Sequence, residues 1–183
     1  MNNNLLIVGA GVYAVVASEI ARDMGCFEKI DFVDDGRTHT PNNIPVVGTT
    51  RDLETLAKDY RCIAVAIGNP DARLSLLEKV EGLYCVVSLV SPKAYIAPSA
   101  QVGKGCIIEP MAVVHSGCVL GKGCILSAGA VVNHASRCAR GVHVDCNGTV
   151  AGYCLVPAGT KIPSGTVYQS EEAVNPEAVF LNT

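Results

Sequence analysis

The sequence contains no tryptophan, and Tyr and Phe together bring its aromatic share to only 5%. Charge is sparse as well: charged residues make up 17%, and the formal net charge of −3 includes no block of Lys or Arg. That absence excludes nucleic acid or an anionic membrane as the main partner, because both are held by concentrated positive charge. No apolar run approaches the roughly 20 residues of a membrane-spanning helix. Met1-Asn2-Asn3-Asn4 lacks the basic region of a signal peptide, and the apolar stretch behind it ends in a glycine turn. CxxC spacing is missing too, although there are nine cysteines. An odd, scattered set argues against a disulfide framework and for reduced thiols in the cytoplasm. What is present is a chain of 183 residues, 49% of them hydrophobic, which excludes a disordered or solvating polypeptide. Its core must be built from Val, Ile, Leu, Ala and Cys, a palette suited to thin stacked layers.

Residues 1–90 read as alternating strands and helices. Leu5-Leu6-Ile7-Val8 is a short apolar run stopped by Gly9-Ala10-Gly11, as a buried parallel strand would be. Val12–Met24 carries Val15, Val16, Ile20 and Met24 at helical spacing, with Gly25 as a stop. Ile30–Val33 is a second strand, closed by Asp34-Asp35-Gly36, and Leu53–Asp59 a short helix beyond a polar loop. Cys62–Ile67 is the third strand, ended by Gly68-Asn69-Pro70; Ala72–Val80 is helical and Cys85–Val87 a fourth strand. The expected domain is an α/β, Rossmann-like open sheet, in which ligands sit outside the carboxyl ends of the strands. Gly9-Ala10-Gly11-Val12-Tyr13-Ala14 approximates G-x-G-x-x-A, where glycines let a phosphate approach a helix N-terminus. Asp34-Asp35 could accept hydrogen bonds from a ribose, and Gly68-Asn69 ends a neighbouring strand. The plain alternative for each motif is a tight turn with an Asp cap. Only one mononucleotide-binding half is present, which disfavours a nicotinamide dehydrogenase and favours a nucleotide or nucleotide sugar as ligand.

Residues 91–168 carry a six-residue repeat. From Ile96, every sixth residue is apolar: Val102, Ile108, Val114, Leu120, Leu126, Val132, Cys138, Val144, Val150, Val156 and Ile162 follow. With 49% hydrophobic residues, one frame would do so by chance about 2 times in 10,000. Four residues after each anchor stands a small one: Ala100, Cys106, Ala112, Cys118, Cys124, Ala130, Ser136, Val142, Gly148, Cys154, Thr160 and Thr166. This is the pattern of a left-handed parallel β-helix, three hexads to a triangular coil and coils stacked about 4.8 Å apart. Its register stacks Cys106 on Cys124, and Cys118, Ser136 and Cys154 in another column, where packing is the plain role of the thiols. The polar residues that interrupt the pattern are His115, His134 and His143. Their spacing puts no two on one strand, so no metal is expected.

A short nucleotide-type α/β domain followed by a hexapeptide β-helix resembles the PglD/NeuD-like sugar acyltransferases. The resemblance runs from residue 5 to about 166. It rests on Val8-Gly9-Ala10-Gly11, Phe32-Val33-Asp34-Asp35, Ala66-Ile67-Gly68-Asn69, Asn133-His134 and the His143…Ala151-Gly152 segment. It implies acetyl-CoA as co-substrate, an amino-sugar nucleotide of the UDP-4-amino-sugar type as acceptor, and a homotrimer with active sites between neighbouring β-helices. It also implies His134 as general base, His143 beside the acetyl-CoA and Gly152 as the backbone donor to the thioester oxygen. Gly11, Val12, Tyr13, Asp34, Asp35, Gly68 and Asn69 fall on the sugar-nucleotide side. The chemistry needs a neutral nucleophile, a base and an oxyanion donor. No Cys or Ser adjoins His134 in an activated arrangement, so direct attack is expected rather than an acyl-enzyme.

The chain departs from the family pattern in three places. Ala135 stands where a carboxylate usually follows the catalytic histidine, with Asp145, Glu109 or a neighbouring subunit as possible substitutes. Tyr13 replaces a customary His, and residues 169–183 replace a further coil, with capping of the last coil as their expected role. Two other readings stay open: O-acetylation of sialic acid or another sugar, and a catalytically weakened trimer that binds sugar nucleotides.

Overall fold

The computed structural model describes residues 3–170 together with Ala173 and Val174. The chain divides into two compact units, Met1–Leu89 and Val90–Thr183. Among the described residues no helix is long and apolar enough to cross a membrane.

The first unit is a parallel sheet with helices. Its elements are β1 (Leu5–Val8), α1 (Val12–Met24), β2 (Ile30–Val33), β3 (Val46–Gly48), α2 (Leu53–Leu56), β4 (Cys62–Val65), α3 (Pro70–Val80) and β5 (Cys85–Val86). The strand order is β3-β2-β1-β4-β5. β1 is central and buried at all four positions, which is why it reads as an unbroken apolar run and not as an alternation. The chain turns outward in both directions from the β1/β4 neighbours, so their carboxyl ends form the crevice typical of open α/β sheets. Gly9 sits at that point with φ of 108°, and a Cβ there would meet the Ala66 carbonyl oxygen at 3.0 Å. Only glycine satisfies both conditions.

Several expectations shift at their edges: β4 ends at Val65 rather than Ile67, and β5 at Val86 rather than Val87. β3 lies in the segment read as a polar loop, because three residues are too few to show a period. α2 ends at Leu56 rather than Asp59. α3 begins at Pro70 rather than Ala72, with the Asn69 side chain accepting from the Ala72 N–H at 2.9 Å as its N-cap.

The second unit is the expected β-helix, built from two-residue strands that run to β19 (Val167–Tyr168). One sheet stacks β7 (Tyr95–Ile96), β10 (Val113–Val114), β13 (Val131–Val132), β16 (Thr149–Val150) and β19. A second stacks β8 (Gln101–Val102), β11 (Val119–Leu120), β14 (Arg137–Cys138) and β17 (Leu155–Val156). The third runs through β6 (Leu89–Val90), β9 (Ile107–Ile108), β12 (Ile125–Leu126), β15 (His143–Val144) and β18 (Lys161–Ile162). Every pairing is parallel with an 18-residue offset, as in Val114↔Val132 and Val132↔Val150. The anchors point inward and form one core with Cys106, Cys118, Cys124 and Cys154 among them.

The corners follow a rule of their own. From Gly105 to Gly165, the residue three after each anchor lies in the left-handed region; it is Gly at seven corners and Met111, Ala135, Asn147 or Tyr153 at the others. Of the tail, Ala173 forms an antiparallel bridge to Cys154 and Val174 is buried against Ala135, Tyr153 and Leu155. Gln169 and Ser170 are described too, and residues 171, 172 and 175–183 of the segment expected to act as a cap lie outside the described residues.

Candidate active site

The 18-residue register decides what stands next to His134. Ser116, His134 and Gly152 occupy the same corner of successive coils, each two residues after an inward anchor. His134 is exposed, and its ring lies over Gly152: a Cβ on Gly152 would stand 2.9 Å from His134 Nε2 and 3.0 Å from Cε1. The glycine is therefore the space the imidazole occupies. Tyr153 closes the other side, its ring edge-on to the imidazole with centroids 4.9 Å apart and planes at 85°. The Gly152 N–H has no hydrogen-bond partner among the described residues, which leaves a backbone donor beside the exposed ring nitrogen.

His134 makes its side-chain hydrogen bond to its predecessor in sequence. Asn133 Oδ1 lies 2.7 Å from His134 Nδ1 and 2.8 Å from the His134 backbone nitrogen. The carboxylates considered as substitutes for the one missing after His134 are committed elsewhere. Glu109 accepts from the Ala128 N–H at 3.1 Å, and Asp145 pairs with Lys161 at 3.1 Å. Burial pushes the Asp145 carboxyl up, but Lys161 and the Cys146 amide outweigh it and hold it below the usual value. Ala135 and Tyr153, which follow His134 and Gly152, are two of the four non-glycine corners of the β-helix in the left-handed region, and Val174 packs over both. Sequence reasoning assigned no role to Asn133, Tyr153 or Val174. The corner-glycine rhythm breaks at 135 and 153, as it does at 111 and 147, and the first two are the ones stacked beside His134.

His143 is in a different sheet of the same coil, on the outer side of β15. Its Nε2 is 3.1 Å from Ser127 Oγ and 3.9 Å from Asp145 Oδ1. Within one chain the fold therefore does not bring His134 and His143 onto one surface. The sheet that follows the His134 corner bears an outer groove of about 830 Å³, lined by Val119, Arg137, Leu155, Pro157, Tyr168 and Ser170 among others. Ser170 continues the His134–Gly152 column by one further coil. Among the described residues no group of three His, Cys, Asp or Glu could hold a metal ion.

In the first unit the predicted ligand edge is assembled, with its acidic pair turned to internal use. Asp34 Oδ2 accepts from the Ala10 N–H at 2.8 Å, and Oδ1 accepts from the Gly36 and Arg37 N–H groups at 2.9 Å each. It thus fastens the β1–α1 loop to the end of β2. Asp35 accepts from the Thr50 N–H and hydroxyl at 2.8 and 2.9 Å, bonds that hold its carboxyl below the ordinary range. Gly11 is the N-cap of α1, and Val12 beside it is 72% exposed. Arg73, fully buried, donates from Nη1 to the Ile67 and Gly68 carbonyls at 2.7 and 2.8 Å and so holds the turn after β4. Tyr13 is half-buried on the first turn of α1.

Comparison with known proteins agrees with this architecture. Residues 4–80 match the family described as PglD N-terminal domain, and residues 99–134 match the bacterial transferase hexapeptide family of six repeats. The acetyltransferase domain of PglB from Neisseria gonorrhoeae, solved in complex with acetyl coenzyme A, is 32% identical with a TM-score of 0.87; the alignment covers 91% of this chain and 82% of that one. A variant of perosamine N-acetyltransferase from Caulobacter crescentus, solved with CoA and GDP-perosamine, shares the fold at 23% identity and a TM-score of 0.63 over 90% of each chain. WeeI from Acinetobacter baumannii shares it at 17% identity and a TM-score of 0.58, over 91% of this chain and 88% of that one. No curated protein matches by sequence. An α/β unit that matches the PglD N-terminal domain, a hexapeptide β-helix and this likeness to PglB place the chain in the PglD/NeuD-like family of hexapeptide sugar acyltransferases, as an acetyltransferase.

Proposed function

We propose that the protein transfers the acetyl group of acetyl-CoA to the amino group of a nucleotide-linked amino sugar, of the UDP-4-amino-sugar type. The observation that carries this reading is the stack of an exposed imidazole on Gly152, with a spare backbone N–H beside it. The sugar amine attacks the thioester carbonyl carbon, and His134 Nε2 takes the proton the nitrogen sheds. The Gly152 N–H donates to the carbonyl oxygen as it gains charge. The C–S bond then breaks, and the thiolate recovers a proton from the imidazolium, a shuttle suited to a group whose ordinary pKa is near 6.5.

Acetyl-CoA as donor is supported by the likeness to the PglB domain, which was solved with it. The groove beside Arg137, apolar on most sides with one guanidinium, suits a pantetheine arm that ends in phosphates. The sugar nucleotide is read in the first unit, by Gly11, Val12 and Tyr13 at the start of α1 and by Gly68 and Asn69 at the start of α3. Helix N-termini favour phosphate there, and Asp34 and Asp35 shape the edge.

A homotrimer is part of the proposal. The outer face of the sheet leading into the His134 corner is Tyr95, Val113, Val131, Thr149 and Val167, with Tyr95 and Val167 exposed by 55% and 63%. An apolar face of that kind fits a second copy, which would bring another chain's His143 towards His134 and Gly152. The nine free thiols fit a cytoplasmic setting. An amine acceptor is favoured over a hydroxyl because the group on His134 Nδ1 is a neutral amide: an amine attacks without prior deprotonation, whereas a hydroxyl needs a stronger base.

Thiol release from acetyl-CoA, measured over a panel of UDP- and GDP-linked amino sugars, tests this. Turnover of a 4-amino sugar nucleotide is expected, with a loss of about 100-fold or more in His134→Ala. Binding of sugar nucleotides with no thiol release from any of them overturns the acceptor assignment.

A further inference from the structure

We infer that Asn133 is the positioning residue of the site: its side-chain oxygen locks His134 in the Nδ1–H tautomer and does without a carboxylate. This rests on His134 acting as the base. The amide oxygen and nitrogen of an asparagine exchange places when its side-chain amide is turned over, so its hydrogen bonds must decide which is which. Here the His134 backbone N–H decides, because it can only donate. The atom 2.8 Å away must therefore be the oxygen.

That oxygen carries no hydrogen. It lies 2.7 Å from His134 Nδ1, so the bond exists only if Nδ1 holds the proton. In the neutral ring the proton is then absent from Nε2. The lone pair of the base accordingly sits on the nitrogen that faces the space at Gly152. One amide oxygen fixes both the backbone of the loop and the tautomer of its side chain, and the edge-on contact with Tyr153 restrains the ring plane.

The choice of an amide has a chemical consequence. A carboxylate on Nδ1 would favour the imidazolium and raise the pKa of the base. A neutral oxygen orients the ring without placing that charge beside it. It also gives the imidazolium less help during turnover, which an amine acceptor tolerates.

Two measurements test the inference. The first is the ¹⁵N spectrum of the His134 ring in the intact protein at alkaline pH, assigned by its loss in His134→Ala. It is expected to show the proton on Nδ1; a proton on Nε2 overturns the inference whatever the activity. The second is the pH profile of kcat/KM. Asn133→Asp is expected to move the acid limb up by about one pH unit, the low end for an adjacent opposite charge. Asn133→Ala is expected to lower kcat about tenfold or more with KM for acetyl-CoA unchanged, the scale of a misplaced reacting group. Unchanged profiles in both variants overturn the inference, because a merely structural asparagine would not move the limb. Full activity in His134→Ala would instead overturn the base assignment, while the spectrum still decides the tautomer.

Discussion

Gly152 shows how one residue can be required for two reasons. It leaves the volume that the His134 ring fills, and it supplies an N–H with no internal partner among the described residues. Its φ is not left-handed, so the backbone admits alanine. Gly152→Ala is therefore expected to fold with a little-changed melting temperature yet lose activity by about 100-fold, because the new methyl displaces the imidazole from its working geometry. A thermal melt alongside steady-state kinetics reads both, and retained activity would remove Gly152 from the site. Asn133 was legible only as a letter beside the histidine. Its role comes from a side-chain dihedral, which no spacing encodes. The acidic pair teaches the reverse lesson: Asp34 and Asp35 look like ribose ligands in sequence, and their oxygens hold Ala10, Gly36, Arg37 and Thr50.

At the scale of elements, the β-helix is fixed by what its corners can hold. A Cβ on Gly121 would come within 2.6 Å of the Arg140 backbone nitrogen, whereas one on Gly11 meets nothing within 4 Å. Gly121→Ala must pry two coils apart and is expected to cost about 2 kcal/mol, in the range of overpacked interiors. Gly11→Ala is expected to stay within about 0.5 kcal/mol, as an open surface position does. Urea melts of the two variants check the contrast, and equal costs would contradict the coil geometry. The hexad anchors made this domain readable because a stacked coil repeats one environment many times. β3 shows the limit of such reading. Val46-Val47-Gly48 is a strand only because the edge of β2 accepts it, and that edge lies 13 or more residues away. α3 likewise starts two residues early because Asn69 caps it and Pro70 suits its first turn.

For the whole molecule, acid stability follows from carboxylates held by fixed donors. Asp35 is lowered by the Thr50 amide and hydroxyl. Asp145 is raised by burial but lowered further by Lys161 and the Cys146 amide. Both fold with values below the ordinary 3.8, so the unfolded chain binds more protons in acid. Their contribution is complete above that value and lost as pH falls through the lowered ones. Unfolding free energy is expected to be flat in these groups from pH 7 to about 5 and to decline below pH 4. Asp35→Asn should flatten part of the decline in a pH series of denaturant melts, and an unaltered slope would show that Thr50 does not hold the carboxylate in solution.

The aromatic-poor, cysteine-rich palette determined a great deal unaided. Small and aliphatic residues at a period of six admit few other solutions, because three short strands per turn leave room for one inward side chain at each face and a small one at each corner. The same period placed Gly152 over His134, since 18 residues return the chain to the same corner. Only the tertiary structure decided how those residues are used: which oxygen meets Nδ1, which carboxylates are spent on loops, and that Val174 lies over Ala135 and Tyr153. Periodicity records where a backbone returns. It says nothing of how a side chain turns once it is there, and hydrogen bonds of fixed direction settle that.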